Sequence, residues 1–395
     1  MVATCQPAIG HFQPMVPVAR TLVEAGHEVV FATSMSFCRF VRGAGFDAVP
    51  VGLDWLESEV DRSFPDLFPD ATNRTKLARG WRSAFARAGR AAIPDLVRLL
   101  ADVRADLVLG ESLDLSGPLA AEAADVPHVL VGIGAPRPLA ILAHGVAAPW
   151  NAARAALGLD QDPHLDRFCP YLYFDTCPPS LRPYSSVELP GAVWPLRPVP
   201  TDAGGAPPRG WFENDGNEPL VYVTMGTVFN RVADAFQPVL GALADEPVRV
   251  LVTVGPTRDP ATLGPAPRNV WVERYVPQAA VMPLADLVIC HAGFNTTVAA
   301  LAQGVPVLGL PLGADGHFNA FRVAACGAGL RIDRRDATAD LVRAAVRDVL
   351  GNPLYRANAQ RLAREIASMP PPATAVRLLE QVVAERGGGG VPAGA

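Results

Sequence analysis

YVPQAAVMPLADLVICHAGFNTTVAALAQGVPVLGLPLGADGHFN, residues Tyr275 to Asn319, contains two short apolar runs, Leu287 to Cys290 and Val305 to Leu310. Between them Thr296 to Gln303 has helical length and no breaker, and Phe318 to Ala325 follows as a second helix. Strand, helix, strand in that order reads as a parallel unit, because parallel strands need a crossover between them. His291 ends the first strand, Gly293 lets backbone approach a ligand, and Asn295, Thr296 and Thr297 open the helix. The N–H groups and dipole of a helix start favour a phosphate by about 0.3–1 kcal/mol at an exposed terminus. Ordinary capping by Asn or Thr is the competing reading.

The same alternation extends in both directions. Upstream lie strands at Val221 to Thr224, Val248 to Val254 and Val270 to Val272, with a helix over Ala233 to Leu243. The loop TMGTVFN sets Gly226 and Thr227 at the end of the first of these strands. Two small-residue loops on one carboxyl edge favour a diphosphate cradle, and Asp315 can accept hydrogen bonds from sugar hydroxyls. The amino half reads likewise, with strands at Val2 to Thr4, Val29 to Ala32, Asp47 to Val51, Leu107 to Leu109 and Val129 to Val131. A helix over Pro14 to Ala25 is closed by Gly26. PLRPVPTDAGGAPP, from Pro195 to Pro208, is a linker by composition. The expectation is an α/β chain of two doubly wound domains, residues 1–200 and 219–368, joined by a linker at about 195–218. Ligands then bind at strand carboxyl ends, in the cleft between the domains. Beyond the break at Met369 to Pro372, residues 369–395 are expected to form a helix packing back on the first domain, then a disordered tail.

Composition narrows the classes. The 395 residues are 50% hydrophobic and 18% charged, which excludes a disordered chain, and a net charge of −5 offers no case for nucleic acid. No apolar run approaches the ~20 residues of a membrane helix, and no signal peptide is visible, so a cytoplasmic protein is expected. The six cysteines form no CxxC pair and read as buried hydrophobes. Lys76 is the only lysine, so a Schiff base or P-loop lysine has one place to be. No metal site is expected. Asp160-Gln161-Asp162 spells DxD, but no strand precedes it.

TCQPAIGHFQP runs from the first strand into the first helix and puts His11 in a βα loop at the carboxyl edge of the sheet. Imidazole, with an ordinary pKa near 6.5, suits proton abstraction from a hydroxyl at neutral pH. A carboxylate on its other nitrogen would fix the tautomer. Glu111, ending DLVLGE, and Asp114 compete for that role. Between Asp54 and Arg90, Trp55, Phe64, Phe68, Trp81 and Phe85 form either a satellite core or the wall of an apolar pocket. Ile141 and Trp150 join them as candidates for that wall.

GHxxP at Gly10 to Pro14, then VPQ, HAGxNTT, GVP and a final AD, resembles family 1 glycosyltransferases of the GT-B fold. The likeness is to the bacterial branch that decorates polyketides and other natural products, and it runs over most of the chain. It implies two facing Rossmann-like domains that close on the donor. It also implies inverting, metal-independent transfer of a sugar from a nucleoside diphosphate to an acceptor hydroxyl, with no bound cofactor. By position, His11 falls on the general base and Glu111 on its orienting carboxylate, usually Asp. His291, Gly293 and Thr296 fall on diphosphate-binding positions, Tyr275 on the ring that stacks on the base, and Val276 and Gln278 beside it. Asp315 falls on the residue that holds the donor sugar.

Two departures bear on the donor. Ala299 stands where plant members carry the Glu that holds ribose hydroxyls, which fits a dTDP donor. Asp315-Gly316 stands where Asp-Gln is common, and loss of that amide points to a deoxysugar. The expected partners are a nucleotide sugar and a hydrophobic small-molecule acceptor, with a homodimer as one option for assembly. A non-catalytic nucleotide-sugar-binding partner and a nucleotide-sugar epimerase on the same fold are the competing functions.

Overall fold

The computed structural model describes residues 1–68, 74–183, 188–201, 218–228, 235–256 and 258–388, with side chains described outside 74–78 and 386–388. Asn73, most of the proline-rich linker, the start of the helix expected from Ala233 and the glycine-rich tail lie outside the described residues.

The chain divides into two compact units, one of Met1–Cys177, Tyr184–Leu196 and Pro370–Ala395, the other of Pro178–Pro183 and Arg197–Met369. Each is built on one parallel sheet. In the first, β1 (Val2–Thr4), β2 (Val30–Thr33), β3 (Asp47–Pro50), β4 (Val108–Glu111), β5 (His128–Val131), β6 (Leu172–Asp175) and β7 (Ala192–Pro195) take the order β3-β2-β1-β4-β5-β6-β7. In the second, β8 (Leu220–Thr224), β9 (Arg249–Thr253), β10 (Val270–Glu273), β11 (Leu287–Cys290), β12 (Val307–Gly309) and β13 (Gly329–Arg331) take the order β10-β9-β8-β11-β12-β13. Every pairing is parallel.

The strand order reverses between β1 and β4 in one sheet and between β8 and β11 in the other. These are the switch points, where the connections after neighbouring strands leave in opposite directions and open a crevice at the carboxyl ends. His11 follows β1 and Glu111 ends β4. Gly226 follows β8 and His291 follows β11.

The strands are short and apolar because helices cover both faces of the sheet. One face of the first sheet packs Phe12, Met15, Leu22, Phe31 and Leu109, and the C-terminal helix Thr374–Gly388 adds Ala375, Leu379 and Val382 at helical spacing. That helix lies against Val16–Glu24 and is tied there by His27 Nε2 to Glu380 Oε1 at 3.0 Å. The other face is covered by the 29-residue helix Arg74–Asp102. Its Ala84, Ala88, Ala92, Leu96 and Leu100 recur every four residues and are all buried. Proline-containing and arginine-rich, this helix gave no clean pattern in the sequence.

Three features differ from expectation. Strands β6, β7 and β13 escaped the reading because each is short and hemmed in by proline, glycine or polar residues. Pro178–Pro183 leave the first unit early and join the second, where Ser180 N–H and Oγ donate to Glu365 and Arg322 donates to the Ser180 carbonyl. Trp150 is wholly buried beside Phe168 and donates Nε1–H to Asp162, so it is core and no part of an acceptor wall; Ile141 is 48% exposed.

Candidate active site

In the first unit the connection after β1 is a one-turn helix, Ile9–Phe12, where a plain loop was expected. Phe12 pins the turn by packing edge-on against Phe31 and Phe37, with centroids 5.1 and 5.9 Å away. The preceding residue, His11, is thereby held over the strand ends, buried except for a small part of its ring. Its Nδ1 lies 2.7 Å from Glu111 Oε1. The Glu111 carboxyl is wholly buried, and its other oxygen accepts the Leu113 N–H at 2.6 Å. A carboxylate only accepts, so the shared proton sits on Nδ1 and the His11 lone pair on Nε2. The longer Glu side chain therefore does reach the histidine.

Asp114 is occupied elsewhere: its Oδ1 accepts both the N–H (3.0 Å) and the hydroxyl (2.6 Å) of Ser116. Burial, then the neighbouring Glu111 carboxylate, pushes its pKa up. Of the two acids considered for His11, Glu111 makes the contact.

The aromatic cluster is a satellite core that touches the histidine. Trp55 and Phe64 are buried, 5.5 Å apart. Phe85 stands edge-on to His11 at 5.8 Å, and beyond it lie Trp55 at 5.8 Å and Trp81 at 5.9 Å, with Phe68 packed on Trp81. The sequence offered pocket wall or core; Trp55 and Phe64 are core, and Phe85 is the member that borders His11. The DxD is structural. Asp162 accepts from Trp150 Nε1 and from the N–H groups of Asp166 and Arg167, which fills its carboxylate. Among the described residues no group of three His, Cys, Asp or Glu could hold a metal ion.

In the second unit His291 is clasped between two glycines. A Cβ added at Gly226, whose φ is +74°, would stand 2.5 Å from the imidazole Cε1, and one at Gly293 would stand 2.4 Å from Nε2. These contacts require both glycines, and the burial pushes the His291 pKa down to about 4. The ring is thus neutral at physiological pH. Ala292 takes a left-handed φ of +61° and is held by Asn319, whose amide donates to the Ala292 carbonyl at 2.9 Å.

Asp315 does part of its work inside the protein. Its Oδ2 accepts the Phe294 N–H at 3.2 Å and the Asn319 amide at 2.8 Å, capping the helix Phe294–Ala302. One N–H of the helix's first turn, that of Phe294, is therefore taken by Asp315. Gln278 Nε2 donates to Thr296 Oγ1 at 3.3 Å. Val276 is buried and Tyr275 is 49% exposed on the same stretch. Thr227 follows Gly226 and is half-buried. A Cβ at Gly316 would lie 2.4 Å from the His291 carbonyl oxygen, so no larger residue fits there without backbone movement.

Two residues that organise these sites were not singled out from the sequence. Asn319 had a signal, its i,i+4 spacing from Asp315 on one helix. Glu57, with Oε2 3.6 Å from His11 Nε2, had none.

Residues 20–226 match the N-terminal domain, and residues 237–382 the C-terminal domain, described as erythromycin biosynthesis protein CIII-like. The chain belongs to the erythromycin biosynthesis protein CIII-like family. It is a glycosyltransferase of the GT-B class. L-demethylnoviosyl transferase of Streptomyces niveus is 34% identical, over 94% of this chain and 95% of that protein. The 4'-demethylrebeccamycin synthase of Lentzea aerocolonigenes is 30% identical over 97% and 99%. Among solved structures, the glycosyltransferase SsfS6 of Streptomyces sp. SF2575, complexed with thymidine diphosphate, is 28% identical, with a TM-score of 0.76 over 96% of this chain and 99% of that one.

Proposed function

We propose that this CIII-like glycosyltransferase moves a deoxysugar from a dTDP donor to a hydroxyl of a hydrophobic natural product, with inversion and without a metal. The observation that carries the reading is the His11–Glu111 pair: a fully buried carboxylate 2.7 Å from Nδ1 leaves Nε2 as the proton acceptor. The first unit takes the acceptor and the second the donor.

In this reading the acceptor O–H proton passes to His11 Nε2 as the oxygen attacks the anomeric carbon. The bond to the diphosphate oxygen breaks on the opposite face, and the electron pair leaves with the diphosphate. Charge growing on that leaving group is met by the first-turn N–H groups of Asn295 and Thr296 and by the neutral His291, donors already in position. Tyr275, Val276 and Gln278 frame the base, and Asp315, positioned by Phe294 and Asn319, meets the sugar hydroxyls. Ala299 in place of an acid, the bar to a side chain at Gly316, and the thymidine diphosphate in SsfS6 support a dTDP-deoxysugar.

Calorimetric titration with dTDP, UDP and GDP in EDTA tests the donor assignment. Binding of dTDP at least about tenfold tighter than UDP, a gap of 1.4 kcal/mol, is expected. Equal affinities would sink the deoxyribose argument, and no binding would remove the donor site.

A further inference from the structure

His11 lies between two carboxylates, and only one belongs to the dyad described above. On the far side of the ring from Glu111, Glu57 Oε2 stands 3.6 Å from Nε2, and both side chains are largely buried. Glu57 opens the single turn Glu57–Glu59, and its N–H donates to the carbonyl of Pro7 at 3.1 Å. Pro7 is in the connection from β1 to His11, so the backbone carrying the second carboxylate is stitched to the backbone carrying the base.

We propose that Glu57 is a positioning residue of the base, holding His11 in the protonated state that exists only after the acceptor proton has moved. The inference rests on His11 being the base. While Nε2 carries its lone pair, two acceptors at 3.6 Å make no hydrogen bond. Once Nε2 is protonated, an imidazolium sits with a carboxylate on each nitrogen. The attraction to Glu57 is therefore stronger in the transition state than in the ground state, and only such an interaction speeds the chemical step. Among the described residues, Glu111 from β4, Glu57 from its turn and the uncharged Phe85 from the helix Arg74–Asp102 stand against the ring. Cys5 and Asp114 stand near Glu111 and add no positive charge.

The test is an NMR titration of the full-length protein with 15N-labelled histidine, the His11 signal being assigned by its loss in His11→Gln. Glu57→Gln keeps size and backbone contacts, and removing the charge disfavours the imidazolium. The His11 midpoint is expected to fall by about one pH unit in that variant, with at least about half the shift recovered in Glu57→Asp. In transfer assays the kcat plateau falls about tenfold while the acid limb of kcat/KM moves to lower pH, because a weaker base stays deprotonated further down. A structural role would lower the plateau and leave the limb in place. A His11 midpoint within about 0.2 unit of wild type in a folded Glu57→Gln protein overturns the proposal. The titration uses neither donor nor acceptor, so that result leaves the transferase reading standing. Absence of transfer in the wild type would count against the transferase reading alone.

Discussion

At the scale of single residues, the sites are governed by what surrounds each imidazole. His11 has an acceptor on Nδ1, which in the proposed reaction leaves Nε2 to take the proton, whereas His291 is compressed by glycines and kept neutral. Replacing His11 by Ala should lower the transfer rate by about 10²–10⁴-fold, the usual worth of a positioned base, while dTDP affinity stays unchanged, because the two residues lie in different units. Parallel kinetics and calorimetry check both halves of that expectation; unchanged turnover would remove the base assignment. His11 and Glu111 were legible because each ends or follows a strand of one alternating series, and carboxyl ends of strands are where such folds keep their ligands. Glu57 was not, since its segment has no periodicity and its link to His11 runs through a tertiary contact across 46 positions, from 57 back to 11.

At the scale of elements, the start of the helix Phe294–Ala302 is capped by Asp315 and is the terminus proposed to meet the donor diphosphate. Asp315 caps it from within by accepting the Phe294 N–H. The close approach that makes this work is set by Gly226 and Gly293. Gly293→Ala should therefore weaken dTDP binding by more than about tenfold, since the methyl would displace the His291 ring rather than remove a contact. Calorimetry against the wild type gives the comparison, and a circular dichroism melt within a few degrees of wild type would place the effect at the site. Binding unchanged in Gly293→Ala would mean that the ring is not part of the cradle. The motif was legible here as residue types, but the capping of the helix by Asp315 was not, because Asp315 returns to the helix start only through the packing of the following helix.

At the scale of the whole molecule, burial couples folding to pH. His128 is buried, donates Nε2–H to the Phe168 carbonyl at 3.0 Å, and has its pKa pushed down from 6.5 to about 4 by desolvation. Between those values the unfolded chain binds more protons than the folded one, so stability rises with pH across the window and is lost on acidification from 6.5 towards 4. At about 1.4 kcal/mol per unit this one group contributes on the order of 3 kcal/mol, and His291 acts in the same direction. The melting temperature is expected to fall steeply from pH 6.5 to pH 4, and His128→Gln, which retains an amide donor, should flatten that fall. Identical slopes for the two proteins would assign the acid sensitivity elsewhere.

Alternating apolar runs and helical stretches were enough to establish two parallel α/β units, the carboxyl-edge position of His11 and the small-residue loops around His291, because the period of a buried strand and of a covering helix is a local property of the chain. Which carboxylate meets His11, that Asp315 caps the helix behind His291, that Trp150 is core, and that Pro178–Pro183 pack with the second unit were decided only in the folded protein. Those outcomes depend on which side chains, distant in sequence, compete for the same buried space and the same few donors, and that competition exists only once the elements are packed.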